Sequence, residues 1–174
     1  MFMTNIFLTG YRATGKSTVA ILIAEALAKK AIDADVYLEQ KAGMTIAEIF
    51  AEEGEQGFRD RETEVVKELA RRENMVIALG GGAILRKENC EALQGRGITV
   101  WLTASAEVIY ERMNIDPLTG QRRPALTSAG GLQEIQQLLA QRAPLYFAVA
   151  DFKVDTQQLS PKDVAAEVVS RIVG

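Results

Sequence analysis

Between the apolar run NIFLT and the helix-like VAILIAEALAKK lies GYRATGKST, residues 10–18. The stretch fits G-x-x-x-x-G-K-[ST], with Gly10, Gly15, Lys16 and Ser17 at the fixed positions. Such a loop restricts the architectures open to a chain, because it works where a buried strand turns directly into a helix. Glycines permit a tight backbone path whose N–H groups point inward around an anion. The candidate phosphate-binding residues are therefore Gly10, Tyr11, Arg12, Ala13, Thr14, Gly15, Lys16, Ser17 and Thr18. Lys16 offers a flexible positive charge to the outer phosphates of a nucleotide, and the Ser17 hydroxyl suits Mg²⁺. The helix that follows adds its positive N-terminal end. The plain alternative is a glycine-containing turn beside an exposed lysine. A strand before the loop and a helix after it favour the nucleotide reading.

The rest of the chain repeats the same alternation. NIFLT (5–9), AIDAD (31–35), MVIAL (75–79), ITVWL (98–102) and FKVDT (152–156) read as strands. They are mostly apolar rather than alternating, as in parallel strands covered on both faces. Between them, Val19, Leu22, Ile23, Ala26 and Leu27 make a helical stripe. Thr45 and Glu48 form a capping box, and Gly54 interrupts that helix before a second stretch over 56–72. Ser105 caps another helix, and Ser160 before Pro161 opens the last. A single α/β domain over 1–174 is expected, with ligands at the carboxyl ends of a five-stranded parallel sheet. Gly10, the pair Asp33 and Asp35, and Gly80–Gly82 all follow strands on that edge. On an extended backbone Asp33 and Asp35 would project to the same side. The long polar segment 114–131 lacks periodicity, and 114–127 is predicted to be a mobile lid.

Composition narrows the function. A net charge of −3 gives no overall attraction to nucleic acid or an anionic membrane surface, so neither partner is expected. Cys90 is the sole cysteine, which excludes an intrachain disulfide and suits a reducing compartment. With no histidine there is no imidazole base, and a divalent ion must be held by oxygen, which points to Mg²⁺. The start MFMTNIF has neither the basic residues nor the apolar length of a secretory leader, and VAILIAEALA is too short for a membrane span. A cytoplasmic protein is expected.

Several P-loop classes remain at this point. The D-x-x-G and N-K-x-D patterns of switch GTPases are missing, and the third strand ends without an aspartate. Arg59 within EGEQGFRDRE could be an exposed, salt-bridged helix residue, and Arg142 before Pro144 could be a helix-end cap. Taken together, however, GYRATGKSTVA, IDADVYLEQKAGMTIAEIFAEEGEQGFRDRE, VIALGGGAIL, RRPAL and QRAPLYFAVADFKVDT resemble the shikimate kinase family closely. The resemblance covers nearly the whole chain. It implies a three-layer P-loop kinase fold, a parallel sheet ordered 2-3-1-4-5, and transfer of phosphate from MgATP to the 3-hydroxyl of shikimate on the way to chorismate.

The resemblance also implies roles. Lys16, Ser17 and Asp33 match the phosphate and Mg²⁺ residues, with Ser17 and Asp33 as metal ligands. Asp35 matches the aspartate on the shikimate hydroxyls, Arg59 and Arg142 the arginines on its carboxylate, and Gly80, Gly81 and Gly82 the wall beside the ring. Arg123 matches a lid arginine that reaches ATP, while Arg112 and Pro161 fall on the adenine side. Lys16, Asp35 and Arg123 are the expected catalytic groups, and a monomer is expected. Two departures stand out: Ala13 replaces a frequent glycine, where a methyl resists positive φ, and Arg12 adds a charge to the loop. The competing readings are another small-molecule kinase of this fold, such as a gluconate-type or nucleotide kinase, and a non-catalytic binding module derived from one. The arginine pair with the Gly-Gly-Gly run argues against the first, and retention of Lys16, Asp33, Asp35 and both arginines against the second.

Overall fold

A computed structural model of the chain describes residues 4–115 and 131–174. In chain order it contains β1 (Asn5–Thr9), α1 (Lys16–Leu27), β2 (Lys30–Asp33), α2 (Ala34–Ala42), α3 (Ile46–Ala70) and β3 (Met75–Ala78). A 3₁₀ turn (Ala83–Leu85) then leads to α4 (Lys87–Leu93), β4 (Gly97–Thr103), α5 (Ala106–Ile115), α6 (Gly131–Val149), β5 (Phe152–Asp155) and α7 (Pro161–Val173). The five strands form one parallel sheet in the order β2-β3-β1-β4-β5.

The unbroken apolar strands are what this layering requires. Successive side chains point to opposite faces, so β1 divides its residues between two cores. Phe7 joins Met75, Ile77 and Leu79 beneath Ala34 and Leu38 of α2 and the buried stripe of α3. Ile6 and Leu8 join Val76, Ala78, Val100, Leu102 and Val154 beneath α1 and α7. The phosphate loop, emerging from β1 at the centre of the sheet, is held from both sides. Buried Asn5 locks the opposite end, donating to Arg72 O at 2.6 Å and accepting from Met75 N at 3.0 Å.

Most local expectations hold. Thr45–Glu48 and Ser160–Asp163 form complete capping boxes, and Ser105 Oγ accepts from Val108 N at 3.3 Å. Gly54, at φ 69°, kinks α3 at the expected place. Two expectations need correction. β2 stops at Asp33, so Asp35 lies in the first turn of α2 rather than on an extended strand. The cause is local: Asp33 Oδ1 accepts from Asp35 N at 2.9 Å and Val36 N at 3.1 Å, and this cap starts the helix two residues early. Arg142 is not at a helix end, because α6 runs through Pro144 to Val149 with Arg142 and Tyr146 buried on its inner face. The 3₁₀ turn and α4, between β3 and β4, were not anticipated. Among the described residues no helix is long and apolar enough to cross a membrane. The expected lid, 114–127, falls outside the described residues apart from Asn114 and Ile115, which end α5.

One polar cluster fastens α2, which carries Asp35, to α3, which carries Arg59. Glu68 accepts from Lys41 at 2.8 Å, from Arg72 at 2.8 Å and from the Tyr37 hydroxyl. Lys41 first, then Tyr37 and Arg72, hold the Glu68 carboxyl at about 2, below the ordinary 4.5. A depressed folded-state pKa contributes stability above the unfolded value and loses it as the pH falls toward the folded one. Urea midpoints should therefore drop between about pH 4.5 and about pH 2, and Glu68→Gln should flatten that part of the curve. Parallel pH profiles for the two proteins would contradict the assignment.

Candidate active site

The site is built where the central strands end. Gly10 adopts φ 140°, and a Cβ there would stand 2.3 Å from Leu102 O, so β1 can turn away beside β4 only without a side chain. Thr14 Oγ1 closes the loop on Tyr11 O at 2.8 Å. Lys16 Nζ arches over it, donating to Gly10 O and Tyr11 O at 2.8 Å each. Ala13 sits at φ 60°, so the loop keeps left-handed backbone despite the methyl group. Arg112 supports that conformation, donating to Ala13 O at 3.3 Å and to Thr156 Oγ1 and O at 3.0 and 2.7 Å. Gly15 precedes α1 without a side-chain cap, and α1 has no acid in its first turn. Its first N–H groups thus present a positive end to an anion.

Ser17 and Asp33 meet across the gap between α1 and β2, the hydroxyl donating to Asp33 Oδ2. The other carboxylate oxygen is committed to the cap of α2. A hydroxyl and a carboxylate oxygen converging beside a phosphate loop fit Mg²⁺, which takes one or two protein oxygens and fills its octahedron with substrate and water oxygens. Among the described residues no cluster of three or more acidic, cysteine or histidine ligands offers a dedicated protein cage. Asp35 stands half-buried at the start of α2, on the same rim.

The turn Gly80–Gly82 joins the phosphate loop to the arginines. A Cβ on Gly81 would lie 3.3 Å from Gly10 O and 3.4 Å from Arg12 N, so the two loops touch. A Cβ on Gly82 would lie 2.5 Å from Arg59 Nη2. Asn89, buried, braces the turn by donating to Ala83 O at 2.8 Å. Arg59 is itself 6% exposed, paired with Glu62 at 2.6 Å and lying over the Phe58 ring at 5.1 Å. Across the turn, Arg142 is 7% exposed and donates to Gly81 O at a long 3.4 Å. Its guanidinium stands 5.7 Å from the Tyr11 ring centre, and Arg12 stands 5.8 Å from it. Burial pushes the Tyr11 phenol up, against the pull of Arg12 and Arg142.

The structure thus brings Gly10–Thr18, Asp33, Asp35, Arg59, Gly80–Gly82 and Arg142 to one edge of the sheet. Arg112 lies behind the loop, and Pro161 opens α7 on the surface beyond β5. Arg123 lies outside the described residues. Two participants went unread in the sequence. Glu62 follows Arg59 by three and Tyr146 follows Arg142 by four, spacings that place each on its arginine's helical face.

The sheet order, the phosphate loop and its flanking strand and helix define a P-loop kinase. The model of the shikimate kinase family matches residues 12–173. Shikimate kinase from Rhodopirellula baltica is 44% identical over 95% of this chain and 88% of its own. That from Symbiobacterium thermophilum is 44% identical over 97% and 95%. The structure of shikimate kinase from Acinetobacter baumannii in complex with shikimate superposes with a TM-score of 0.91 at 40% identity, covering 98% of this chain and 93% of that one. A gluconokinase from Sinorhizobium meliloti, at 19% identity and a TM-score of 0.56, shares the fold alone. The chain belongs to the shikimate kinase family. It is an ATP-dependent kinase whose acceptor is an alcohol group.

Breaking a buried ion pair by removing one partner costs about 3 kcal/mol or more. Glu62→Gln should therefore lower the unfolding free energy by about 3 kcal/mol, since the other acid near Arg59, Glu55, is exposed and 3.6 Å away. A loss below about 1 kcal/mol in urea denaturation would show that Arg59 does not depend on this partner.

Proposed function

We propose that the protein transfers the γ-phosphate of MgATP to the 3-hydroxyl of shikimate, giving shikimate 3-phosphate and ADP. The observation that carries this reading is the placement of two buried guanidinium groups, Arg59 and Arg142, on either side of a glycine turn that touches the phosphate loop. Two planar forks in a confined space suit a carboxylate, which each can grip through paired N–H···O bonds. An acceptor held by its carboxylate against Gly80–Gly82 has its hydroxyl side directed at the nucleotide. Backbone groups of that turn, with Asp35, would hydrogen-bond the ring hydroxyls, which discriminates more strongly than an apolar wall.

Phosphoryl transfer demands positioning and charge stabilisation more than a strong base. Asp35 orients the attacking hydroxyl and accepts its proton late in transfer. Lys16 leaves its loop carbonyls for the phosphate oxygens, while the N–H groups of residues 10–18 and the start of α1 hold the rest. Ser17 and Asp33 would hold Mg²⁺, which when bound neutralises charge spread over the phosphates. Arg123 is assigned to the ATP phosphates, and Arg112 and Pro161 to the adenine side. The chain would act as a single-domain monomer in the cytoplasm, supplying an intermediate for chorismate and the aromatic amino acids.

Coupled ADP release tests the reading. Turnover should require Mg²⁺ and shikimate, with gluconate, nucleoside monophosphates and water far slower as acceptors. Rapid ADP release with gluconate and none with shikimate would overturn the substrate assignment.

A further inference from the structure

The Gly81 carbonyl receives two donors. The Tyr146 hydroxyl reaches it at 2.5 Å, and Arg142 Nη1 at 3.4 Å. The first is a short bond from a fully buried side chain, whose ring stacks on Trp101 with centres 5.6 Å apart. The second is stretched well beyond the usual length of a charge-assisted bond. Residues 142 and 146 lie one turn apart on α6, so one helical face carries both donors to a single acceptor. The arginine is thereby parked on a carbonyl that is already satisfied.

We infer that Tyr146 is a positioning residue for the acceptor. By satisfying Gly81 O it releases Arg142 to turn onto the acceptor carboxylate without stranding a buried carbonyl. The idea rests on the reading of Arg142 as a carboxylate ligand. Without the hydroxyl, Arg142 would be the remaining described donor to that carbonyl. It would tighten there, and acceptor binding would have to break that bond. A buried carbonyl left unpaired costs enough to weaken binding about tenfold. ATP binding, which does not draw on Arg142, would be unaffected. The Tyr146 hydroxyl is engaged with Gly81 O and its ring with Trp101, so in this reading it acts through Arg142 and kcat at saturating acceptor would change little.

The test is Tyr146→Phe in the full chain, with shikimate and ATP affinities measured by titration and turnover by ADP release. The expected result is shikimate Kd and KM raised about tenfold, ATP Kd unchanged, and kcat within about threefold of the unsubstituted enzyme. In an Arg142→Ala background the same substitution should move shikimate Kd by less than about twofold, because no arginine is left to release. Equal losses in both backgrounds, an unchanged shikimate Kd in both, or matching losses for ATP and shikimate would overturn the inference. The unsubstituted protein supplies a check that does not depend on the variant folding. Its Tyr146 hydroxyl proton should remain protected from solvent exchange when shikimate binds, and loss of that protection would equally overturn it. Failure of the unsubstituted protein to bind shikimate at all would instead overturn the substrate assignment, and the inference with it.

Discussion

The contact on which the site depends is the approach of Gly81 and Gly82 to their neighbours. At position 81 a methyl group would press on the backbone of the phosphate loop, and at position 82 it would occupy the place of the Arg59 guanidinium. A side chain at position 81 would pry the two loops apart, whereas one at position 82 would push the Arg59 guanidinium from its place. In the proposed reading the glycines act as spacers of minimum thickness: they would set how near an acceptor held by Arg59 can stand to a phosphate held by Lys16. Proximity of this kind is the main contribution a protein makes to phosphoryl transfer.

Keeping a guanidinium in that confined place demands electrostatic support. Removing a cation from water is costly unless it is paired and hydrogen-bonded. Glu62 meets that need from one turn along the same helix, and the Phe58 ring covers the guanidinium face. Phe58 in turn stacks on Phe50, with ring centres 4.7 Å apart, across the Gly54 kink. Arg142 has a different support, a long bond to a backbone carbonyl beside the Tyr11 ring. One arginine is clamped and the other is lightly held. In the proposed reading that asymmetry would let one cation fix the acceptor carboxylate while the other closes on it.

Much of this was legible in the residues. Five apolar runs and a phosphate loop specify a parallel sheet, because strands buried on both faces have no polar alternation to lose. The capping box at Thr45 and the helix start at Ser160 were readable, since each is a local signal among neighbouring residues. The errors arose where one local signal competes with another, or with tertiary packing. Asp33 and Asp35 look like alternating strand residues, yet the Asp33 carboxylate caps α2 and draws Asp35 into a helix. Pro144 looks like a helix terminus, but Arg142 and Tyr146 pack inward on both sides of it and α6 continues. The bond from Tyr146 to Gly81 joins residues 65 apart in the chain, and no spacing pattern announces it. Ala13 at φ 60° shows the reverse case, a residue whose propensity is overruled by the loop around it.

The spacer role of the glycine turn is tested most directly by Gly82→Ala. The added methyl would stand 2.5 Å from Arg59 Nη2, the far end of a flexible side chain, so the protein should fold while the guanidinium is displaced. Calorimetric titration should then show shikimate affinity reduced about tenfold or more, with ATP affinity unchanged. A folded Gly82→Ala protein that binds shikimate as tightly as the unsubstituted chain would contradict the account.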